Sequence, residues 1–478
     1  MISKLQALQT IDERRDEITG LSDAIWDRPE VKYTEYFACE TLSAFLEANG
    51  FKVARGVADI PTAFAAEYGS GSPVVGLLAE YDALEGLSQK AELDREEPVT
   101  EGAPGHGCGH NLLGTGVVGA AIAVKEYLDS GAKGTIKVFG CPAEEGGSGK
   151  TFMARDGVFD GVDCAFTWHP GDTYSVANGS NLANCMVEYL FKGKAAHAAL
   201  SPELGRSALD AAELMNVGVQ FLREHIPSAC RVHYAFTNVG GKSPNVVQAG
   251  ASVLYQMRAP KLDQVRNLNE RVDDIARGAA LMTGTSVEIK FIKATSNVLP
   301  NKVLGLVMQK NMDEIGAAEY DAADHALAKK MRDCMEEKDP YYVECVREIE
   351  DPDIRGRMMQ DADIYPQIFP YPSKEEVGLA SSDVGDVSWV CPTAQIQTAT
   401  MPGGTVMHSW QEVAVGKSAM AHKGMLQASK IIAASVIDVL DDPAIIQRAK
   451  EEKDVRTGGI PYVSPIPKGV KAPIVTGN

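Results

Sequence analysis

The sequence predicts an α/β protein that is interrupted by a smaller, inserted α+β domain. Short runs rich in Val, Ile, Leu and Phe alternate with helical patterns in residues 1–184, and buried character returns after residue 393. Buried strands alternating with helices are typical of a largely parallel sheet with helices on its faces. Residues 185–296 instead follow the order β-α-β-β-α-β, which is that of the ferredoxin-like split unit.

The first part of the α/β domain, residues 1–184, is expected to contribute both layers of the fold. Apolar residues recur at helical spacing in residues 11–26, 37–48 and 112–128. Strands are expected where short apolar runs are bounded by glycines or turns, at residues 63–68, 74–79, 135–140 and 163–168.

The inserted domain, residues 185–296, shows a different rhythm. Strands are expected at residues 186–191, 231–238, 246–258 and 287–292, and helices at residues 207–225 and 265–282. The second part of the α/β domain, residues 297–478, contains an expected strand at 394–400 and a long amphipathic helix at 416–440. Residues 312–375 are predicted to form a polar, solvated helical insertion, and the tail after Asp442 is expected to wrap the surface or fray.

The composition is that of an acidic globular protein. The 478 residues include 46 Lys and Arg against 65 Asp and Glu, for a formal net charge of −19. This balance argues against nucleic acid as a partner, because phosphate binding requires a basic surface. No apolar run reaches the ~18 residues of a membrane-spanning helix. With nine cysteines lacking paired spacing and no signal-peptide pattern, the sequence predicts a cytoplasmic protein with reduced thiols and no membrane association.

Histidine, cysteine and acidic residues are concentrated at the ends of predicted strands. Residues 105–111 read GHGCGHN, residues 141–147 read CPAEEGG after one strand, and residues 168–170 read WHP at the end of another. A fourth candidate, residues 402–409, reads PGGTVMHS. Open α/β sheets place their sites at the carboxyl ends of strands, so these stretches are expected to form one site.

The side chains of these stretches form a donor set for metal. Thiolate, imidazole and carboxylate groups together suit one or two borderline divalent ions. The donors are Cys108, His110, Glu145, His169 and His408. His408 is included mainly because of the resemblance to a known family that these motifs show. Glu144 is then free to take a proton from a water whose pKa the metal lowers to ~7, so the pattern predicts a metal-activated hydrolase. A lone histidine is usually structural, and this interpretation is kept for His225, His233, His325 and His422.

Three other motifs compete with this interpretation. Residues 140–151 end in GKT like a phosphate-binding loop, but Glu144 stands where that loop requires glycine. Residues 114–119 match GxGxxG, but no apolar strand precedes them, so packing of a helix on the sheet explains their glycines better. Cys108 as nucleophile with His110 as base is the alternative chemistry, although residues two apart converge more readily on one ion.

These motifs resemble those of the dinuclear metallo-amidohydrolases, a family that includes aminoacylases, hippurate hydrolase, auxin-conjugate hydrolases and carboxypeptidase-like enzymes. The resemblance extends from residue 25 into the 420s and thus covers nearly the whole chain. It is carried by the strings IWDRPE, LLAEYDALEGLSQ, GHGCGHNLLGTG, GCPAEEGGSGKTFM, TWHP, AAHAA, LGRSALDA, SPNVVQA, SSDVGDVSW and AHKGML. Glu80 stands where many relatives carry His, and Asn111 where many carry Asp; both features indicate one branch of the family.

The resemblance implies a zinc-peptidase-like catalytic domain with a mixed sheet, interrupted by a dimerisation or lid domain. The five donors fall on the family's metal-ligand positions and Glu144 on that of the general base. Asp82 matches an acid that orients a metal ligand, and His197 matches a lid histidine that stabilises the oxyanion, often across a dimer. Asn245 and Arg258, on expected lid strands, match residues that bind the substrate carboxylate, or else simply tie those strands together.

The function implied by the resemblance is hydrolysis of the amide bond of an N-acyl or N-aroyl amino acid, with p-aminobenzoyl-glutamate as the expected substrate. An auxin–amino acid conjugate or a dipeptide is the alternative within the family. A non-catalytic accessory subunit is a further alternative, against which the intact donor set and Glu144 argue. The resemblance implies two ions per site, with manganese as the expected metal. A cysteine ligand favours zinc, which is therefore the alternative. The expected partners are a small-molecule substrate and a second subunit, either a copy of this chain or a paralogue.

Overall fold

The computed structural model describes residues 1–359 and 362–474. Its helices are α1 (Lys4–Glu13), α2 (Arg15–Trp26), α3 (Tyr36–Ala48), α4 (His110–Asp129), α5 (Gly149–Arg155), α6 (Ala208–Leu222), α7 (Leu262–Thr283), α8 (Lys302–Ile315), α9 (Ala322–Asp333), α10 (Tyr341–Arg347), α11 (Pro352–Met358), α12 (Val384–Val390), α13 (Trp410–Val415), α14 (Ala419–Asp441) and α15 (Ala444–Thr457). Its strands are β1 (Lys52–Arg55), β2 (Phe64–Ser70), β3 (Val74–Glu80), β4 (Gly134–Cys141), β5 (Cys164–Gly171), β6 (Ser175–Val176), β7 (Ala183–Lys192), β8 (Arg231–Asn238), β9 (Gly250–Ala259), β10 (Ser286–Thr295) and β11 (Thr393–Ala399).

The larger sheet has seven strands in the order β1-β2-β4-β3-β5-β11-β6. Its centre is parallel, because β4, β3, β5 and β11 run in one direction, and its outer pairs are antiparallel. Strand β3 (VVGLLAE) is buried along almost its whole length, as expected for a central strand covered on both faces. The predicted α/β class with a mixed sheet is therefore confirmed, and the carboxyl ends of its parallel strands meet at one edge.

Helix α4 approaches this sheet closely, and its glycines make the approach possible. A Cβ atom on Gly114 would lie 2.5 Å from the backbone oxygen of Glu80, and one on Gly116 would lie 2.9 Å from the Trp168 ring. A larger residue at either position would push the helix off the sheet. The glycines of the GxGxxG pattern thus serve helix packing, as the sequence analysis predicted.

The smaller sheet has four antiparallel strands in the order β10-β7-β9-β8. Together with α6 and α7 they give the predicted chain order β-α-β-β-α-β. Tyr189 and Tyr255 point toward the helices, and their hydroxyls donate to Asp273 of α7 (2.7 Å) and Asn216 of α6 (2.5 Å). Because side chains alternate along a strand, Arg258 lies on the opposite face, away from these helices.

Several elements differ from the sequence prediction. Strand β9 begins at Gly250 and not at 246, so Asn245 lies in the β8–β9 loop and not on a strand. The reason is that this segment pairs with residues 196–198: the Ala198 N–H donates to the Asn245 carbonyl (3.0 Å) and the Val247 N–H to the Ala196 carbonyl (3.0 Å). The chain after Asp442 does not fray immediately but forms α15, which buries Ile446 and Ala449. Short, polar β1 was not predicted, and the helical pattern at 11–26 is divided between α1 and α2.

The insertion at residues 312–375 is not merely a solvated surface, and that part of the prediction was wrong. Helix α9 buries Ala328 and Met331 in the main core. The following segment builds a small apolar cluster of its own from Tyr342, Val346, Ile349, Met358, Tyr365 and Phe369. The charged residues between these side chains conceal the pattern in the sequence. The insertion also contacts the loop before His408, since the Asp339 N–H donates to the Gly404 carbonyl at 2.9 Å.

The predicted domain boundaries fall beside the two ends of the smaller sheet, at the start of β7 and just after β10. The division into domains itself stays a prediction, and residues 360, 361 and 475–478 of the second part lie outside the described residues.

All nine cysteines carry free thiols, as their scattered spacing indicated. Within residues 1–359 and 362–474, no helix combines the length and apolar character needed to cross a bilayer.

Candidate metal centre

Polar side chains from five segments meet at the carboxyl edge of the parallel strands. The segments are the ends of β3, β4 and β5, the start of α4 and the loop after β11. They carry every predicted metal donor together with the predicted base and orienting acid: Cys108, His110, Glu145, His169, His408, Glu144 and Asp82. Residues from distant parts of the sequence come together here because parallel strands end at the same edge of a sheet.

Cys108, His110 and His169 form the first group of possible donors. Cys108 Sγ lies 3.5 Å from His169 Nε2, and the donor atoms of the three residues lie within 4.8 Å of one another. Gly109 has a φ of +67°, and a Cβ atom there would lie 2.8 Å from the Pro170 ring. Glycine at this position therefore permits both the left-handed turn and the close approach of α4 to β5.

Cys108, Glu145 and His408 form the second group. Glu145 Oε1 lies 3.4 Å from His408 Nε2, and the donor atoms of all three residues again lie within 4.8 Å. The His408 N–H donates to the Gly107 carbonyl (2.9 Å) and to the Glu412 carboxylate (3.0 Å), which ties the loop of His408 to that of Cys108. Cys108 belongs to both groups, so its thiol is available as a donor to either of them.

Asp82 orients residues of both groups. Its Oδ1 lies 2.9 Å from His110 Nδ1, and its Oδ2 accepts a hydrogen bond from the Glu145 N–H at 2.8 Å. His169 is fixed in a similar way, because its Nδ1 lies 2.7 Å from the Pro170 carbonyl oxygen, to which it donates. With Nδ1 engaged in both rings, Nε2 is the atom that each histidine presents to the site.

The two adjacent glutamates have pKa values shifted in opposite directions. Burial, followed by the charges of Glu80 and Asp383, raises the pKa of Glu144 well above its usual value. For Glu145 burial alone would raise the pKa, but His408 and the nearby positive charge of His110 lower it to about 2. One carboxylate therefore remains charged at neutral pH, whereas the other has a high affinity for a proton.

The residues present fit divalent cations. Among the described residues, the buried atoms His110 Nε2 and Glu145 Oε1 make no hydrogen bond. Each only faces a group of opposite charge, Glu80 at 3.3 Å and His408 at 3.4 Å, and a bound cation would satisfy both atoms. Burial, and then the charge of Glu145, raises the pKa of Cys108 well above its usual value. A bound cation would reverse this shift, because it favours the thiolate form. Thiolate, imidazole and carboxylate donors are those that borderline metals prefer.

A buried ion-pair network beside these groups was missed by the sequence analysis. Lys150 of α5 is fully buried, with Nζ 2.7 Å from Glu80 Oε1 and 2.6 Å from Asp383 Oδ1. Glu80 Oε2 lies 3.3 Å from His110 Nε2, and Glu80, His110 and Glu144 form a third group with donor atoms within 4.8 Å. The available signal was a lysine at the start of α5 (GKTFMAR), next to the apolar residues 152–154, since buried lysines require acidic partners.

Three residues predicted from the resemblance lie elsewhere. His197 is exposed, and its Nδ1 accepts hydrogen bonds from the backbone N–H groups two and three residues further along the chain. Asn245 is exposed in the β8–β9 loop. Arg258 is half-buried on β9, and its Nη1 donates to Ser381 Oγ at 3.1 Å. None of the three makes a hydrogen bond or ion pair with the predicted metal donors in the described part of the chain.

The chain is similar to several known hydrolases. Residues 76–348 match the peptidase family M20/M25/M40. The B subunit of p-aminobenzoyl-glutamate hydrolase from Escherichia coli (strain K12) is 46% identical over 466 residues, covering 96% of this chain and 96% of that protein. The Xaa-Arg dipeptidase of Mus musculus is 34% identical over 327 residues, covering 66% of this chain and 72% of that protein.

A solved structure shares the fold. It is a dinuclear metal-binding peptidase of the M20 family from Bacillus subtilis, with a TM-score of 0.58, 16% identity, and coverage of 90% of this chain and 99% of that chain. Within the family, the sequence strings that carry the resemblance, together with Glu80 and Asn111, indicate the B subunit of p-aminobenzoyl-glutamate hydrolase. This resemblance is confirmed by the identity over almost the entire length of both proteins.

Proposed function

The chain belongs to the peptidase family M20/M25/M40 and is an amidohydrolase of that family, and from this premise we propose that it hydrolyses the amide bond of p-aminobenzoyl-glutamate. The observation that carries the substrate is the 46% identity, over 96% of the chain, to a relative named for that reaction. A cavity of about 200 Å³ beside Glu145 supports access for a small ligand.

In this proposal the site holds two divalent ions. The residues that hold them are Cys108, His110, Glu145, His169 and His408. The position of Cys108 in two donor groups supports two ions, as does the dinuclear metal binding of the Bacillus subtilis relative. When bound, the ions would polarise the amide carbonyl and lower the pKa of the attacking water. Manganese is the expected metal, with zinc as the alternative that a cysteine ligand favours.

Glu144 acts as the general base. Its raised pKa suits a group that takes a proton from the attacking water and then delivers it to the leaving nitrogen. Asp82 keeps His110 and Glu145 in position during this exchange. His197 stabilises the negative charge that develops on the carbonyl oxygen. Since His197 makes no contact with the donors in the described residues, its role requires closure of the lid or a His197 supplied by a second copy of the chain.

Residues 185–296 act as a lid and dimerisation domain between the catalytic parts 1–184 and 297–478. Arg258 binds the α-carboxylate of the substrate with its guanidinium fork, and Asn245 assists it.

The partner in the assembly is either a copy of this chain or a paralogue. The B and A subunits of the Escherichia coli hydrolase are 46% and 30% identical to this chain, which supports a paralogous partner. The free cysteines are consistent with action in the cytoplasm.

The proposal is tested by measuring glutamate release from p-aminobenzoyl-glutamate by the purified single chain. We expect chelation to reduce the release to background and Mn²⁺ or Zn²⁺ to restore it, because the ions activate both water and carbonyl. No release from a chain that binds metal would contradict either the substrate or the self-sufficiency of the chain. Repeating the assay with a paralogous partner, and with auxin conjugates and dipeptides, separates these two explanations.

The variant Asp82→Ala is expected to weaken metal binding by about 10- to 100-fold, because removal of an orienting acid leaves its ligands free to turn. Both His110 and the backbone of Glu145 lose a partner in this variant. Competition with a chromogenic chelator measures the affinity. Asp274→Ala, which removes an exposed acid from α7, is the matched control and is expected to bind metal as the wild type does. Unchanged affinity in Asp82→Ala would exclude the orienting role.

A further inference from the structure

Lys293 is a buried cation that the proposed mechanism does not use. It lies on β10 with an exposed fraction of 6%, and no hydrogen bond or ion pair joins its ammonium group to another described residue. Lysines are rarely buried unless they are paired, because a buried unpaired charge is unfavourable. Acidic partners are abundant in a chain with 65 Asp and Glu, so the lack of one here points to an anionic ligand.

The strand register places Lys293 and Arg258 on one face of the smaller sheet. Lys293 lies opposite Met186 of β7, and Arg258 lies opposite Asn184 of the same strand. Met186 and Asn184 are two residues apart, so their side chains point to the same side, and so do those of their cross-strand partners. This side is the one that α6 and α7 leave uncovered, since Tyr189 on the alternate side contacts α7.

This face is turned toward the proposed catalytic groups. Arg258 donates a hydrogen bond to Ser381, which lies two residues before Asp383 in the chain. Asp383 is part of the buried ion-pair network of Lys150. Burial lowers the pKa of Lys293, the charges of Glu144 and Asp383 oppose this shift, and the charge of Arg258 adds to it. Lys293 therefore lies within electrostatic reach of both the proposed base and the proposed carboxylate-binding arginine.

We propose that Lys293 and Arg258 form a two-cation subsite for the leaving amino acid, in which Arg258 binds the α-carboxylate and Lys293 binds the side-chain carboxylate. The inference rests on the proposed function and adds to it a preference for a dicarboxylic amino acid. A guanidinium fork matches one planar carboxylate in two-point contact, whereas an ammonium is a point charge that accepts a carboxylate on a flexible side chain.

The test compares p-aminobenzoyl-glutamate with p-aminobenzoyl-glutamine, which has the same shape but a neutral side chain. In Lys293→Met we expect kcat/KM to fall about 100-fold for the glutamate substrate and less than about threefold for the glutamine substrate, because only the former loses a buried charge pair. A purely structural role of Lys293 would lower both rates equally, and that result would overturn the proposal.

Two variants keep the comparison decisive. Lys290→Met removes an exposed lysine from the same strand, where it pairs with Glu188 at 3.7 Å, and is expected to leave both rates unchanged. If Lys293→Met fails to fold, as judged by circular dichroism, Lys293→Gln removes the charge and retains a polar side chain. The same selective loss for the glutamate substrate is then expected, and equal losses again contradict the subsite.

A binding measurement separates this inference from the substrate proposal. L-Glutamate and L-glutamine are titrated calorimetrically into wild-type protein and Lys293→Met, both with metal restored. We expect the wild type to bind glutamate at least about tenfold more tightly than glutamine, and the variant to lose this preference. If neither aminobenzoyl substrate is cleaved but the preference depends on Lys293, the proposed function fails and the subsite stands. If the wild type shows no preference, or if the variant retains it, the subsite is wrong.

Discussion

The variant Glu144→Gln is expected to lose turnover of p-aminobenzoyl-glutamate by about 10²- to 10⁴-fold, which is the contribution of a positioned general base. Glutamine has the shape of glutamate but cannot accept the proton of the attacking water. Metal content is expected to remain near that of the wild type, because the donor groups around Cys108 do not include Glu144. Steady-state kinetics and metal analysis of the same preparation measure both quantities.

The choice of Glu144 as the base depends on its difference from Glu80. Both carboxylates lie with His110 in one group of potential donors, but their environments are opposite. For Glu80 burial alone would raise the pKa, whereas the adjacent ammonium of Lys150 lowers it below the usual value. Burial and the charges of Glu80 and Asp383 raise the pKa of Glu144. When their environments shift the pKa values of two neighbouring acids in opposite directions, the two acids take different roles in catalysis. The acid with the higher proton affinity is then the general base.

The matched control for this prediction is Glu126→Gln, which removes a partly exposed carboxylate near the end of α4 and is expected to leave kcat unchanged. If Glu144→Gln retains turnover, the base is another group and Glu80→Gln becomes the next variant. If it loses turnover together with its metal, Glu144 holds an ion and not a proton. Only a loss of turnover with metal retained supports the mechanism.

The fold could be predicted from the sequence where local pattern and tertiary structure agree. Strand β8 was predicted at its observed bounds, residues 231–238, because apolar and β-branched residues set it apart from a loop that contains Gly240 and Gly241. Part of the carboxyl-edge cluster was predictable because Glu144, Glu145 and His169 lie at or directly after the ends of apolar runs, and parallel strands bring such positions together. Cys108, His110 and His408 do not follow an apolar run directly, so their place in the cluster depended on the Gly-rich motif and on the family resemblance. Asn245 was placed wrongly, since its backbone pairs with residues 196–198, which no local pattern reveals.

The buried cations could not be placed from the sequence, because their environments depend on contacts between distant segments. Lys150 meets Glu80 and Asp383, which lie 70 residues before it and 233 residues after it in the chain. Lys293 follows a strand segment that alternates between exposed and partly buried residues, so nothing in its local pattern predicts burial. Periodicity reports which face of an element is apolar, but it does not report what charge approaches that face in the folded protein.

Lys150→Met is expected to destabilise the protein by about 3–5 kcal/mol, because removal of one partner from a buried ion pair leaves an uncompensated charge. Here two carboxylates, those of Glu80 and Asp383, lose their only shared cation among the described residues. Although burial lowers the pKa of Lys150, these two charges raise it well above its usual value, so the ammonium is held in its charged form. Urea denaturation followed by circular dichroism measures the change in the free energy of unfolding.

The comparison with Lys192→Met tests whether burial, and not charge pairing alone, causes this effect. Lys192 pairs with Glu288 at 2.7 Å, but both side chains are more than half exposed, so its loss is expected to cost less than about 1 kcal/mol. The double variant Lys150→Met/Asp383→Asn is expected to recover part of the lost stability, because it removes one of the stranded charges. If Lys150→Met is as stable as the wild type, Glu80 and Asp383 must share a proton in the folded state, and the electrostatic assignment of Glu144 as the base loses its support.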